Sequence, residues 1–129
     1  MCNIKEIIYI KKMMPSVSEY FLLQIDESEN KIKYIDDRDF DKEPMVKVVS
    51  KEVVIEFLDK LLRIIDSWKE EYIDNGIIDG TEWQLKIVYK SGYERNYCGK
   101  NAFPDNYEAL DKIKREMIKK QWGVEEWTF

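Results

Sequence analysis

The fold is decided by residues 79–117, which read DGTEWQLKIVYKSGYERNYCGKNAFPDNYEALDKIKREM. After the opening turn, apolar and polar residues alternate, which predicts a half-buried β-strand. The apolar side of this strand holds Trp83, Leu85, Ile87 and Tyr89. Lys90-Ser91-Gly92 predicts a hairpin turn, because glycine readily adopts the positive φ that such turns require. We therefore expect residues 93–98 to return as the partner strand.

A helix is predicted directly after this hairpin, over residues 105–119. Pro104 suits the first turn of a helix, and Asp105 with Glu108 has the spacing of a capping box. The predicted core-facing stripe consists of Leu110, Ile113 and Met117. The cationic side chains predicted to point away from the core are Lys112, Lys114 and Arg115.

The first half of the chain contains a longer helical pattern. Ser50 is the predicted N-cap, and Glu52 in the first turn complements the helix dipole. Apolar residues then keep core-facing spacing for about five turns. They are Val53, Val54, Phe57, Leu58, Leu61, Ile64, Ile65, Trp68 and Tyr72. Asn75-Gly76 is predicted to end this helix.

Upstream of this helix, residues 4–10, 20–25 and 31–35 read as strands, and residues 46–49 as a short extended piece. The predicted fold class is α+β: an antiparallel sheet of about five strands with two helices packed on one face, built from two β-hairpin-helix halves. We expect a single domain over residues 1–129. Residues 1–73 form strands and the long helix, residues 79–119 the hairpin-helix half, and residues 120–129 a C-terminal tail that is a docked extension or an edge strand.

Composition favours a cytoplasmic globular protein. The 129 residues are 44% hydrophobic and 36% charged, a balance typical of folded domains. We find no apolar run of about 18 residues and no signal-peptide pattern. The two cysteines, Cys2 and Cys98, are expected to be reduced thiols, with a structural disulfide as the alternative.

The absence of histidine is the most decisive chemical fact. It excludes Ser-His and Cys-His nucleophile pairs and the common histidine-bearing zinc and iron sites. Cys98 has no visible activating neighbour and is interpreted as an ordinary half-buried thiol. The acidic run with Asp37, Asp39 and Asp41 resembles a calcium loop, but Lys42 stands where that loop needs glycine. With no nucleotide motif either, we expect no metal and no cofactor.

Negative charge is concentrated in two segments. Residues 26–43 hold eight acids and four bases, and residues 66–82 hold six acids and one base, whereas the whole chain carries a net charge of −5. The predicted partner-binding acidic surface consists of Asp36, Asp37, Asp39, Asp41, Glu43, Glu70, Glu71, Asp74 and Asp79. Such a surface opposes nucleic-acid binding and favours a basic protein partner. The alternative is a solvated surface without a partner.

Ten residues between positions 68 and 110 form a pattern similar to one in small, mostly uncharacterised bacterial proteins, of the form DGxxWxL followed by GxNxxPxN. The matching residues are Trp68, Tyr72, Asp79, Gly80, Trp83, Leu85, Gly99, Asn101, Pro104 and Asn106. They read as turn-forming residues and packing anchors. In size and acidity the chain is also similar to the immunity proteins that neutralise bacterial toxins.

The sequence therefore predicts a non-enzymatic protein-binding module, of the immunity type, that inhibits a basic toxin. One alternative is an enzyme that uses carboxylates alone, for example on carbohydrates, since carboxylate pairs need to be close only in space. A second alternative is a structural module that self-associates through exposed aromatic residues.

Overall fold

The computed structural model describes residues 3–13, 16–36, 45–74, 76 and 80–122, and of residues 16, 17, 36 and 122 the backbone alone. The elements are β1 (Ile4–Met13), β2 (Ser16–Ile25), β3 (Asn30–Asp36), β4 (Met45–Val49), α1 (Lys51–Ile65), β5 (Glu71–Ile73), β6 (Thr81–Tyr89), β7 (Glu94–Lys100) and α2 (Tyr107–Trp122). The α+β class is confirmed.

The strands form one seven-stranded sheet in the order β4-β3-β2-β1-β6-β7-β5. Neighbouring strands are antiparallel except β5, which runs parallel to β7. The prediction of about five strands was too low. Residues 46–49, predicted as a short extended piece, belong to β4, which pairs with β3 along its whole length. Strand β5 lies inside the stretch that was predicted as helix.

The first helix ends eight residues before residue 73, its predicted end. It stops at Ile65, and the chain then turns so that Tyr72 lies on β5 rather than on α1. The reason is that backbone groups after Ile65 form hydrogen bonds with β7 instead of continuing the helix. The Cys98 amide donates to the Glu70 carbonyl (2.9 Å), and the Asp74 amide donates to the Lys100 carbonyl (2.9 Å). Because β5 joins the edge of the second hairpin, the chain is not built from two separate hairpin-helix halves.

Two predicted local signals are confirmed. Ser50 Oγ accepts a hydrogen bond from the Val53 amide (3.3 Å) at the start of α1. Gly92 has a φ of 92° in the turn between β6 and β7, where its amide donates to the Tyr89 carbonyl (2.9 Å). These turns depend on contacts within a few residues, which is why the sequence predicts them correctly.

Both helices pack against the same face of the sheet. The Phe57 ring of α1 lies 5.7 Å from the Phe21 ring of β2, and Lys114 Nζ of α2 lies 4.3 Å from the centre of the Tyr9 ring of β1. Phe21 and Tyr9 are directly opposed residues and therefore share a face. We call the other side of the sheet the open face.

Lys114 was predicted to point away from the core, and this was wrong. Its side chain is 1% exposed, and Nζ lies 2.5 Å from Glu19 Oε2 and 3.2 Å from Asp111 Oδ1. Helix α2 begins at Tyr107, two residues after Asp105, and extends to Trp122. Among the described residues, neither helix has the length and apolarity needed to cross a membrane.

Candidate interaction surface

The structure places only part of the predicted acidic surface. Asp37, Asp39, Asp41, Glu43 and Asp79 lie outside the described residues, and Asp36 is the last residue of β3. Glu70, Glu71 and Asp74 lie on or beside β5, and all three are exposed. We call these three residues the acidic corner.

Asp36 and the acidic corner share one end of the sheet but lie near opposite edges. Glu19, which opposes Asp36, lies near the start of β2, and Ile73 pairs with Lys100 at the matching end of β7. Strand β3 is second from one edge and β5 forms the other. Five strand spacings separate them, which is roughly 24 Å. The described parts of the two acidic segments therefore do not form one cluster.

The carboxylates of the acidic corner make no ion pair within the described residues, although Asp74 Oδ1 accepts a hydrogen bond from the Gly76 amide (2.9 Å). Acids on α1 behave differently, since Glu56 pairs with Lys60 (3.1 Å) and Asp59 with Arg63 (3.1 Å). Carboxylates that are not held in a direct ion pair keep more of their field available to a partner.

Motif residues hold the acidic corner in place. Trp68 Nε1 donates to Asn106 Oδ1 (2.6 Å), and Asn106 Nδ2 donates to the Ile64 carbonyl (2.9 Å) near the end of α1. The buried Trp68 ring packs edge-on against Trp83, with ring centres 5.6 Å apart. Tyr72 Oη accepts from the Lys69 amide (2.9 Å). Hydrogen bonds to both its side chains and its backbone therefore hold the segment that leads into β5.

Four motif residues lie around the junction between β7 and α2: Gly80, Gly99, Asn101 and the buried Pro104. Asn101 adopts a φ of 57°, and its Oδ1 accepts from the Thr81 amide (2.9 Å). Gly80 lies so close to the Asn101 side chain that a Cβ there would overlap it, and a Cβ on Gly99 would come within 2.5 Å of the Ala102 carbonyl oxygen. Their predicted role as turn-forming residues and anchors agrees with this geometry.

The open face carries an apolar stripe across the first three strands. Register places Tyr20 opposite both Ile10 and Ile35, and Leu22 opposite Ile8. All five side chains are half-buried, although neither helix covers this face. We call these five residues the open-face stripe. An apolar patch of this kind, with charged residues around it, is typical of a surface that meets another molecule.

A groove of about 400 Å³ lies on the open face between the stripe and the acidic corner. Its side chains include Ile10, Ile73, Cys98, Glu71, Glu82, Lys12 and Lys100. Ile73 is 51% exposed on β5. The groove therefore combines apolar walls with two cations and two carboxylates, one of which belongs to the acidic corner.

Cys98 is exposed in this groove rather than half-buried as predicted. Partial desolvation and the neighbouring Glu71 carboxylate raise the pKa of its thiol. A thiol with a raised pKa carries little thiolate near neutral pH and is a poor nucleophile. Neither of these two effects activates Cys98 as a nucleophile.

A buried polar cluster on the helix-covered face is a feature that sequence reasoning missed. The cluster joins Lys114 to Glu19 and Asp111, and the Tyr9 and Tyr107 hydroxyls contact each other beside it. Burial raises the pKa of both tyrosines above the ordinary value, and the Glu19 and Asp111 carboxylates raise both further. The hydrogen bond between the two hydroxyls raises the pKa of Tyr9 and lowers that of Tyr107. A signal was present, because position 114 is one turn from Leu110 and Met117 on the helical stripe.

Comparison with protein-family models, with curated proteins and with solved structures gave no match. The similarity to small bacterial proteins therefore rests on the motif residues alone. Among the described residues, no group of three or more cysteine or acidic side chains is placed to hold a metal ion.

Proposed function

We propose that the chain is a non-enzymatic protein-binding module, an inhibitor of the immunity type, which binds a basic protein through the acidic corner and the adjoining groove. The observation that carries the proposal is that Glu70, Glu71 and Asp74 are exposed beside a groove with apolar walls and make no ion pair with any described residue. Charge and apolar surface have different roles here. Exposed carboxylates steer a basic partner and set specificity, and burial of apolar area supplies most of the affinity.

The contribution of apolar burial to the free energy of binding can be compared with that of the charges. Burying about 200 Å² of apolar surface around Ile73 and Ile10 contributes about 5 kcal/mol before the cost of association is subtracted. Single exposed charge pairs contribute about 0.2–1 kcal/mol each. The acidic corner is therefore expected to tune the rate of association and the choice of partner more than the total affinity.

The test compares two charge-matched triple variants in affinity purification from the native host. The first, E70Q/E71Q/D74N, removes the charges of the acidic corner. The second, D26N/E27Q/E29Q, makes the same changes in the exposed turn between β2 and β3, at the opposite end of the sheet. We expect the first variant to recover several-fold less of the partner than the wild type, and the control to recover as much as the wild type.

Salt dependence completes this test. Binding that depends on exposed charges weakens as ionic strength rises, because the Debye length falls from about 10 Å at 0.1 M to about 3 Å at 1 M. Equal recovery by both variants, or recovery that is indifferent to salt, would contradict the proposal. Recovery of a toxin whose growth inhibition is relieved by the wild-type chain, and not by E70Q/E71Q/D74N, would support the immunity assignment directly.

One observation favours the enzymatic alternative. Glu71 and Glu82 line the same groove, and paired carboxylates are the minimal equipment of a glycoside hydrolase. Cys98 is exposed in this groove, whereas this chemistry needs a site that excludes water from a bound sugar. Hydrolysis of glycosides by the purified chain would favour the enzyme over the binding module.

A further inference from the structure

We propose that the outer edge of β5 accepts an extended, lysine- or arginine-bearing segment of a partner protein as an eighth strand of the sheet. This inference rests on the proposed function and specifies how the partner is held.

The backbone of β5 has one edge that faces away from the sheet. Its inner hydrogen bonds involve Glu70, whose carbonyl accepts from Cys98, and Asp74, whose amide donates to Lys100, both at 2.9 Å. Alternate residues of a strand direct their backbone groups to opposite sides. The amide and carbonyl groups of Glu71 and Ile73 therefore point outward, and β7 is the only strand paired with β5 in the described part of the chain.

The two edges of the sheet differ in how they are protected against pairing. At the other edge, β4 carries an exposed lysine, Lys47, at its centre, a device that commonly discourages strand addition. Strand β5 has neither lysine nor proline, and Ile73 is one of its three residues. Strand β4 also exposes Val46 and Val48, so what distinguishes β5 is the group of carboxylates beside it, which selects a cationic segment.

The side chains around β5 specify the chemistry of the added strand. On the open face, a new strand would place side chains beside Glu71 and Ile73, which line the groove. On the other face its side chains would lie beside Glu70 and Asp74. Cationic residues opposite the three carboxylates and an apolar residue opposite Ile73 would complement both faces. Addition of a strand to an open sheet edge is an established mode of peptide recognition.

The test uses a synthetic ten-residue peptide of alternating lysine and valine, with a peptide of alternating glutamate and valine as control. Binding is measured by fluorescence anisotropy at low salt. We expect the lysine peptide to bind and the glutamate peptide not to bind. The E70Q/E71Q/D74N variant should bind the lysine peptide at least about fivefold more weakly, as expected from the loss of three exposed charge pairs.

A proline substitution separates strand addition from simple charge attraction. Ile73→Pro removes an outward amide and leaves the bond from Asp74 to Lys100 in place, and proline is tolerated at edge positions whose amide faces solvent. We expect I73P to weaken peptide binding at least about tenfold, because one backbone bond is lost and the edge is blocked. The matched control, I73V, keeps the amide and should bind within about threefold.

Amide NMR signals locate the peptide. Shifts at Glu71 and Ile73 that saturate with the anisotropy curve would support the proposal, whereas shifts at Val46–Val48 or unchanged binding by I73P would overturn it. The two proposals fail separately. If the host partner depends on the acidic corner but binds I73P and I73V equally well, strand addition is wrong and the binding function stands. If the host yields no partner that depends on the acidic corner, the proposed function fails as well.

Discussion

A single lysine on α2 connects the helix to the strands beneath it. Lys114 is buried with Glu19 of β2 and Asp111 of its own helix, and Glu19 also accepts a hydrogen bond from the Tyr34 hydroxyl (3.2 Å). Buried ion pairs add little net stability over an apolar replacement, but loss of one partner leaves an uncompensated charge. The cluster therefore fixes where α2 lies on the sheet.

Replacing Lys114 by methionine preserves much of the side-chain volume and removes the charge. We expect K114M to lower the free energy of unfolding by about 3 kcal/mol, because the Glu19 and Asp111 carboxylates lose their cation. Urea denaturation measures this change. The double variant K114M/E19Q should be less destabilised than the sum of the single variants, since glutamine needs no counter-charge.

The exposed neighbour Lys112 supplies the control for this prediction. On the same helix, K112M should change the free energy of unfolding by no more than about 0.5 kcal/mol. Strict additivity of K114M and E19Q would mean that the two side chains do not interact, contrary to their 2.5 Å separation.

At the scale of elements, the boundary between α1 and β5 is the main difference between sequence and structure. The apolar spacing of Leu61, Ile65, Trp68 and Tyr72 continues beyond the helix because the following segment packs on the same core. Helical periodicity reports which side chains are buried and cannot show where the backbone changes partner. The strand forms because β7 offers backbone groups to Glu70 and Asp74.

Asn106 links this boundary to α2, so its removal tests the anchoring of β5. We expect N106A to lower the free energy of unfolding by about 1–3 kcal/mol, because Trp68 Nε1 and the Ile64 carbonyl lose their partner. Hydrogen exchange should also become faster in β5 than in β6. The matched variant N96A, on the exposed face of β7, should change neither quantity appreciably. Equal exchange rates in N106A and wild type would show that Asn106 does not anchor the strand.

At the scale of the whole molecule, the sheet separates a structural face from a presenting face. The helices cover one side and enclose the lysine cluster, and the open face carries the stripe and the groove. The described part of the predicted acidic surface lies near opposite edges of the sheet, with Asp36 on β3 and the acidic corner at the edge formed by β5. Position within the sheet, rather than total charge, therefore selects the part of the acidic surface that we propose as the site.

The buried tyrosines make the stability of the whole fold sensitive to alkaline pH. In the unfolded chain a tyrosine ionises near pH 10, whereas burial raises the pKa of Tyr9 and Tyr107 in the folded protein. Above about pH 10 the unfolded state therefore binds fewer protons than the folded state. The free energy of unfolding should fall by about 1.4 kcal/mol per pH unit for each tyrosine, and these two residues contribute no such slope below that pH.

Denaturation at a series of pH values between 9 and about 11.5 measures this slope. The variant Y107F should reduce it by about half, and the exposed control Y93F should leave it unchanged. A free energy of unfolding that stays constant up to about pH 11.5 would contradict the burial of these hydroxyl groups.

The sequence by itself determined the features that depend on neighbours along the chain. It predicted the Ser50 cap, the Gly92 turn and the α+β class, because local propensity and side-chain alternation fix each of them. It also singled out Glu70, Glu71 and Asp74, since their charge is visible in the chain.

Only the tertiary structure decided which strand forms the edge, where α1 ends and that Lys114 is buried. Each of these depends on a partner distant in sequence: β7 for β5, and Glu19 for Lys114. Patterns within one segment record burial and charge, but they contain no information on which distant backbone or carboxylate completes a pair. That pairing separates Asp36 from the acidic corner and leaves the outer edge of β5 without a strand partner among the described residues.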